Sequence, residues 1–247
     1  MVDWFPSEEW LESYRRNLAE NDAYAAASEG WGVDFDGDFC FVLTHLPLEQ
    51  TTLGDLPDAL TAELFDRIDA LSADEFDRLR ETATPAFDER FAAVDGTGES
   101  EGADEEENER VRFRRALSTV ALADVPTVVW PALETHIRGD LESLLAQLEA
   151  YVVDGSAGST VYAHLSLEDG DCERAELVAD PSARDPGFEL EAPYEIWTEL
   201  VAGADVIESV MSNEMELDGD VTRVLHYGDA AAAMGDVAGE TDARYLF

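Results

Sequence analysis

Two kinds of hydrophobic periodicity divide this chain into three parts. Residues 34–44 alternate, with Phe39 and Phe41 on one face, and alternation returns from Val161 onward. A repeat of two places successive side chains on opposite faces of a strand. Between these parts, residues 46–153 repeat their apolar positions every three to four residues, which is typical of helices. The sequence therefore predicts an α/β chain of the α+β type, in which a helical stretch interrupts the strands of a sheet.

The helical stretch carries its own start and stop signals. Ser72 and Glu75 have the spacing of a capping box, which favours a helix start at this point. Pro85 predicts a break in the following helix, because a prolyl ring cannot continue a helix interior. Residues 96–109 are rich in Gly, Ser and acid and predict a mobile loop. Four or five helices in this stretch suffice for a small bundle.

Shorter elements follow in the last third. Asp169, Gly170 and Asp171 predict a tight hairpin between two strands. The elements expected after the hairpin are a strand at residues 187–191, helices at 193–203 and 204–211, a strand at 215–217 and a closing helix at 221–234.

Five short motifs occur one after another within these elements. They are Gly187-Phe188-Glu189-Leu190, Tyr194-Glu195-Ile196-Trp197, Val201-Ala202-Gly203, Val210-Met211-Ser212 and Leu217-Asp218-Gly219-Asp220. In this order they resemble the closing half of the sterol carrier protein type 2 domain, and the opening helix and first strand also suit that family. Two features depart from it: Asn213 stands where members often have Gly, and the helical stretch is an insertion. Asn tolerates a left-handed backbone, so the first departure is mild.

The resemblance implies a five-stranded, mainly antiparallel sheet covered by helices. It implies a discontinuous lipid-binding domain of residues 1–46 and 158–247, with residues 47–157 as a helical insertion between the first and second strands. Such domains bind lipids, sterols or fatty acyl groups in an apolar tunnel between the sheet and its helices. By resemblance, the tunnel would be lined by Phe39, Phe41, Phe188, Leu190, Trp197, Leu200, Met211, Leu217 and Leu225. The alternative for the same residues is a closed core in which they only contact one another.

No pattern of catalytic or metal-binding residues stands out. The four histidines lack the spacing of a zinc site, and Cys40 and Cys172 are isolated. There is no nucleophile elbow, phosphate loop or dinucleotide fingerprint. We therefore expect a non-catalytic carrier of a lipid, sterol-like or isoprenoid ligand, without cofactor or metal. The alternatives are an interaction module that binds a partner protein through the insertion, and an acyl hydrolase or transferase whose groups converge near His164 or a cysteine.

The charge balance bears on the protein's surroundings. The formal net charge is −42, with 57 acidic residues against 15 basic ones, and every basic residue is Arg. Such a charge destabilises a compact state in ordinary salt, whereas molar salt shortens the Debye length to about 3 Å. The sequence thus predicts a cytoplasmic, halophilic protein, which would be a haloarchaeal-type acidic member of the family; an acidic protein with a basic partner is the alternative.

The scarcity of basic residues and of long apolar runs bears on partners and on membrane insertion. Nucleic acid is not expected as a partner, because phosphate contacts need clustered basic residues. No signal peptide pattern is visible, and no apolar run approaches the roughly 20 residues of a membrane helix.

Overall fold

A computed structural model of the chain describes residues 4–94, 105–155, 157–180 and 184–247. The strands, in chain order, are β1 (Trp4–Phe5), β2 (Phe39–Thr44), β3 (Val153–Gly155), β4 (Gly158–Glu168), β5 (Asp171–Val178), β6 (Phe188–Pro193), β7 (Glu216–Asp218) and β8 (Arg244–Tyr245). The helices are α1 (Glu8–Ala19), α2 (Asp22–Ala27), α3 (Asp58–Asp69), α4 (Ala73–Glu81), α5 (Pro85–Ala93), α6 (Glu105–Ser118), α7 (Val125–Val128), α8 (Thr135–Arg138), α9 (Asp140–Tyr151), α10 (Tyr194–Val201), α11 (Val206–Met211), α12 (Val221–His226) and α13 (Gly228–Glu240).

The chain divides into two compact units. Unit 1 comprises Met1–Leu46 and Leu148–Leu246, and unit 2 comprises Pro47–Gln147. The return to unit 1 thus comes at residue 148, ahead of the sequence-based boundary at 158. The functional assignment of the two parts, lipid-binding domain and insertion, stays a prediction. Within the described residues, no helix has the length and apolar character needed to span a bilayer.

A mixed sheet forms the framework of unit 1. Its described strands follow the order β3-β4-β2-β6-β7, and β5 also pairs with β4. Every pairing is antiparallel except that of β2 with β6. The predicted α+β class and mainly antiparallel sheet are confirmed, but the predicted count of five strands is wrong, since the described residues contribute six strands to this sheet. In this sheet the unpredicted strand is β3, which has three residues and directly follows the helical repeat of α9.

The register of the strands separates two faces of this sheet. Phe41 of β2 pairs with Ala163 of β4 and with Leu190 of β6, and Leu190 pairs with Leu217 of β7. Directly paired residues point to the same face, so these four side chains form one apolar row. The neighbouring row, on the opposite face, consists of Glu176, His164, Cys40, Glu189 and Asp218.

The first strand is shorter than its sequence pattern predicts. The alternation starts at residue 34, but β2 begins only at Phe39. The Asp36 carboxylate accepts a hydrogen bond from the backbone N–H of Asp38 at 3.0 Å. Such a local side-chain bond competes with strand pairing and favours a turn. Both faces of β2 are also largely buried, whereas the pattern predicted one buried face.

Three stretches whose apolar repeats predict one helix each, residues 7–27, 131–148 and 221–234, are divided in the structure. Asn21 separates α1 from α2, and its side chain accepts from the Tyr24 N–H at 2.8 Å, which starts a new helix. Gly139, with a φ of 63°, separates α8 from α9. Tyr227 lies between α12 and α13. At Asn21 and Gly139, a short-range backbone feature overrides an apolar repeat that continues across it.

Unit 2 is built around an aromatic cluster. The Phe113 ring lies 4.8 Å from Phe87 and 5.4 Å from Phe76, centroid to centroid. All three rings are buried. The predicted capping box at Ser72 and Glu75 is present, which confirms the helix start.

The boundaries around Pro85 and the acidic loop can also be compared. Pro85 lies in the first turn of α5, so the predicted break is confirmed. Helix α6 already begins at Glu105, so residues 105–109 are helical and their assignment to a mobile loop is wrong. Residues 96–104 of that predicted loop lie outside the described residues.

Arg110 of α6 also ties this helix to the end of α3. Its side chain donates hydrogen bonds to the carbonyls of Ile68 and Leu71 at 3.0 and 2.8 Å.

Candidate ligand cavity

An apolar cavity lies between the Phe41 face of the sheet and the helices that cover it in unit 1. Its volume is about 110 Å³. The sheet contributes Phe39, Phe41, Leu43, Ala163, Leu190 and Leu217, while α1 contributes Trp10, Leu11 and Tyr14. The remaining walls come from α10 through Trp197, Leu200 and Val201, and from α11, α12 and α13.

Eight of the nine residues predicted to line a tunnel lie on the wall of this cavity. They are Phe39, Phe41, Leu190, Trp197, Leu200, Met211, Leu217 and Leu225. Phe188 does not line it, because its ring stacks on Phe39 at 5.1 Å and lies 5.0 Å from Trp31. It belongs instead to an aromatic cluster at the end of the strands. A ligand-binding role for the nine residues stays a prediction.

Sequence reasoning missed the contribution of the first helix. Trp10 and Tyr14 are buried and line the cavity together with Leu11. Their four-residue spacing marks the apolar face of α1, but nothing local indicates that this face lies over the distant strands. Met234 of α13 lines the cavity as well. Tyr14 and Met234 are 220 residues apart in the sequence but lie in contact in the fold. The Tyr14 hydroxyl donates a hydrogen bond to the Met234 carbonyl at 3.2 Å.

One wall of the cavity is held firmly by hydrogen bonds. The Trp197 indole N–H donates to the Val42 carbonyl at 3.0 Å, and the Tyr194 hydroxyl donates to the Phe5 carbonyl at 3.0 Å. These bonds tie α10 to β2 and to the N-terminal segment. Because buried donors with partners are costly to displace, this wall is the rigid one.

The cavity is partly open where exposed apolar side chains form its rim. Among the described residues, the exposed large apolar side chains are Val33, Met211, Val221 and Leu225. Three of them line the cavity: Met211 is 70 % exposed, Leu225 is 51 % exposed and Val221 is 43 % exposed. Leu225 was predicted to face inward, and its exposure shows that it lies at the rim. Clustered exposed apolar residues around a concavity are typical of a binding site.

Helix α11 is the loosest of the covering elements. It has six residues, and the residue of this helix that is buried is Ser209 rather than one of its apolar side chains. Gly203 precedes it with a φ of 103°, and Asn213 follows it with a φ of 61°. The left-handed backbone expected at Asn213 is thereby confirmed. A short helix between two turns, with little buried apolar surface, opens at low free-energy cost.

Charged groups are absent from the described wall of the cavity. The titratable side chain on it is Tyr14, and burial raises the pKa of its hydroxyl well above the usual value. Tyr14 therefore stays neutral at physiological pH. A ligand that carries a carboxylate or phosphate would find no counter-charge here and would lose its hydration.

Two residues of the alternative catalytic hypothesis, His164 and Cys40, lie on the other face of the sheet, and Cys172 does not line the cavity. Burial raises the pKa of the Cys40 thiol to about 12, and that of Cys172 to about 12 as well. A nucleophilic cysteine needs a lowered pKa, so burial works against this role. His164 Nε2 lies 3.4 Å from Asp38 Oδ2, yet burial lowers the pKa of His164. Within the described residues, no group of three or more His, Cys, Asp or Glu side chains could hold a metal ion.

Comparisons with known proteins give weak similarity. No protein-family model matches the chain, and no curated protein matches it. One similar solved structure is a crystal structure of sterol carrier protein 2, with 16 % identity, a TM-score of 0.44, and coverage of 95 % of this chain and 97 % of the other. Another is a conserved hypothetical protein from Thermus thermophilus described as a possible sterol carrier protein. It has 15 % identity and a TM-score of 0.46, and the match covers 96 % of this chain and 90 % of the Thermus thermophilus chain. At this level of similarity, only this chain's own residues can indicate what it binds.

Proposed function

We propose that this chain binds and carries an apolar small molecule, such as a lipid, a sterol-like compound or an isoprenoid, without acting on it chemically. The observation that carries the proposal is the cavity of unit 1, whose described wall is apolar and whose rim bears exposed apolar side chains. Exposing Met211 and Leu225 to water is unfavourable, and covering them with a ligand removes that surface from water.

The size of the cavity defines how a ligand would enter. Its volume of about 110 Å³ suits a single ring or a short chain, since drug-sized ligands need pockets of roughly 300–1,000 Å³. A longer ligand therefore needs one wall to move. Helix α11 is the wall that moves in this proposal, because its apolar side chains are the least buried, while α10 stays fixed by its hydrogen bonds.

The interaction-module alternative gains no such support. It requires an exposed apolar patch on unit 2, but the exposed large apolar residues of the described chain all belong to unit 1. The carrier proposal is therefore the one that a specific structural feature favours.

The proposal also includes the setting in which the protein works. A net charge of −42 is screened at high ionic strength, so we place the protein in a salt-rich cytoplasm. The same charge argues against an anionic ligand, since electrostatic repulsion would oppose its approach.

Ligand extraction tests the proposal. The protein would be purified in molar potassium chloride and extracted with organic solvent, and the extract would be analysed by mass spectrometry. A matched sample of the Gly235→Leu variant, whose side chain would occupy the cavity, provides the control. A compound present at near one per chain in the natural protein and depleted in the variant supports the proposal; equal amounts in both samples, or none in either together with no binding of added apolar compounds, contradict it.

A further inference from the structure

We infer that the ligand is a neutral molecule with one hydrogen-bond-accepting oxygen, such as a ketone, ester or ether, and that this oxygen binds the indole N–H of Trp10. The inference rests on the proposed carrier function and narrows its ligand class.

Trp10 has an unusual status among the buried polar groups around the cavity. It lines the cavity and is only 4 % exposed. Its indole Nε1 is buried and has no hydrogen-bond partner among the described residues. A buried donor without an acceptor is unfavourable, and most buried donors in proteins therefore have one.

The other buried indoles of unit 1 follow the general rule. Trp197 donates to the Val42 carbonyl at 3.0 Å, and Trp31 donates to the Gly37 carbonyl at 2.8 Å. Tyr14, which stacks on Trp10 with ring centroids 5.2 Å apart, also donates its hydroxyl proton. The fold thus provides acceptors for the neighbouring donors, whereas the indole N–H of Trp10 is available for an acceptor on a ligand.

The rings around Trp10 hold it in place. The Phe5 ring lies 4.8 Å away in an edge arrangement, and Tyr14 is parallel to it within 9°. The Ser7 side chain accepts from the backbone N–H of Trp10 at 3.1 Å. Because the Nε1 atom is closed off from water, the wall beside it must move slightly to admit an acceptor, while the indole ring keeps its orientation. A fixed donor of this kind is how a mostly apolar pocket orients its ligand.

The charge of the ligand follows from the same wall. An indole N–H is a donor only, so its partner must supply a lone pair. A carboxylate would do so, but the described cavity wall carries no positive charge to offset its burial. A ketone, ester or ether oxygen meets the demand of Trp10 without this penalty.

Three single-ring probes of similar size test the inference. Acetophenone carries a neutral acceptor, ethylbenzene carries none, and benzoate carries a charged one. The readout is the indole ¹H–¹⁵N spectrum of the protein in molar potassium chloride, with the Trp10 signal assigned by Trp10→Phe. The Trp197 signal in the same spectrum is an internal control, because this indole lines the cavity but already has an acceptor.

We expect acetophenone to move the Trp10 indole proton downfield, ethylbenzene to bind without this downfield shift, and benzoate not to bind. Trp10→Phe should weaken acetophenone about tenfold, as expected for the loss of one buried hydrogen bond, and leave ethylbenzene within about twofold. If both neutral probes bind but the Trp10 proton responds to them alike, the inference is wrong while the carrier proposal stands. If neither binds, the carrier proposal itself fails. The spectrum of the natural protein decides this even if the variant does not fold.

Discussion

The rings of Phe41 and Trp197 lie 4.9 Å apart, centroid to centroid, at the point where strand β2 meets helix α10. The Trp197 N–H also bonds to the carbonyl of Val42, the next residue of the strand. One side chain thus packs on the cavity face of β2 and holds its backbone as well. The contact fixes one wall of the cavity, and the difference between this wall and the loosely packed α11 underlies the predictions that follow.

Filling the cavity should abolish binding and keep the fold. Gly235 lines the cavity from α13, and an added Cβ would meet no atom closer than the Ala204 carbonyl oxygen at 4.0 Å. Gly235→Leu should raise the free energy of unfolding by up to about 1 kcal/mol, from helix propensity, and weaken a bound apolar probe at least about tenfold by occupying its space. Thermal unfolding and fluorescence titration measure the two effects.

Gly239→Leu is the matched control for this variant. Gly239 lies one turn further along α13, is exposed and does not line the cavity. It should keep the natural affinity. Equal affinities for the two leucine variants would show that ligand does not enter this cavity.

The exposed rim should matter for long ligands but not for stability. The double variant Met211→Ser, Leu225→Ser removes two rim side chains that are 70 % and 51 % exposed. The free energy of unfolding should change by less than about 1 kcal/mol, because exposed positions contribute little. A long-chain ligand should bind roughly tenfold more weakly, since about 50 Å² less apolar surface is covered, while a single-ring probe should be nearly unaffected.

Val33→Ser controls for the loss of an exposed apolar side chain elsewhere. Val33 is 54 % exposed and does not line the cavity. Isothermal titration with apolar ligands of increasing chain length measures the affinity of each variant for long and for short ligands. If the rim variant and Val33→Ser have the same affinities for long and for short ligands, Met211 and Leu225 are not part of the binding surface.

His164 should make the protein less stable in mild acid. Burial lowers the pKa of His164 in the folded state, while an unfolded histidine titrates near about 6.5. The unfolded chain therefore binds more protons below this pH, so the stabilising effect is complete above pH 6.5 and is lost as the pH falls towards the folded pKa. Each unit of lowering corresponds to about 1.4 kcal/mol.

This loss is measured by urea unfolding, which gives the free energy of unfolding of the natural protein and of His164→Gln at about pH 7 and about pH 5. Molar potassium chloride in all samples limits the contribution of the many carboxylates. The natural protein should lose stability relative to His164→Gln at the lower pH. His136→Gln, whose histidine side chain is 68 % exposed, should behave as the natural protein does, and a pH difference unaffected by His164→Gln would contradict the assignment.

Salt should stabilise the whole chain through screening. Lowering potassium chloride from molar concentration to about 0.15 M lengthens the Debye length from about 3 Å to about 8 Å. Repulsion within a chain of net charge −42 then grows, and the melting temperature should fall by several degrees or more. Sucrose at equal osmolality should not restore it. Full restoration by sucrose would show that exclusion of solute, rather than charge screening, explains the salt effect.

How much could be predicted from the sequence depended on the range of the interactions. The capping box at Ser72, the break at Pro85 and the hairpin at Gly170, which joins β4 to β5, rest on neighbouring residues. Their signals are complete within a few positions. The break at Asn21 was equally local but was hidden by an apolar repeat that runs on through Tyr24.

The cavity wall shows the opposite case. Residues of the sheet and α10 were predicted to meet because the family resemblance supplied their arrangement. The four-residue spacing of Trp10 and Tyr14 predicts an apolar helix face, but the position of Trp10 on the cavity depends on the packing of α1 in the folded unit. Phe188 was placed on the tunnel by the family resemblance, and its contact with Trp31 could not be predicted from either segment alone.

Native mass spectrometry most directly tests whether unit 1 is a carrier. The protein, purified in molar potassium chloride and exchanged into concentrated ammonium acetate, would be weighed with and without prior organic extraction. We expect a mass excess equal to one neutral apolar molecule, lost on extraction and regained when the extract is added back. A chain that has the mass of its sequence alone, and whose melting temperature does not change with acetophenone, ethylbenzene or a panel of lipids and isoprenoids, would contradict the carrier function.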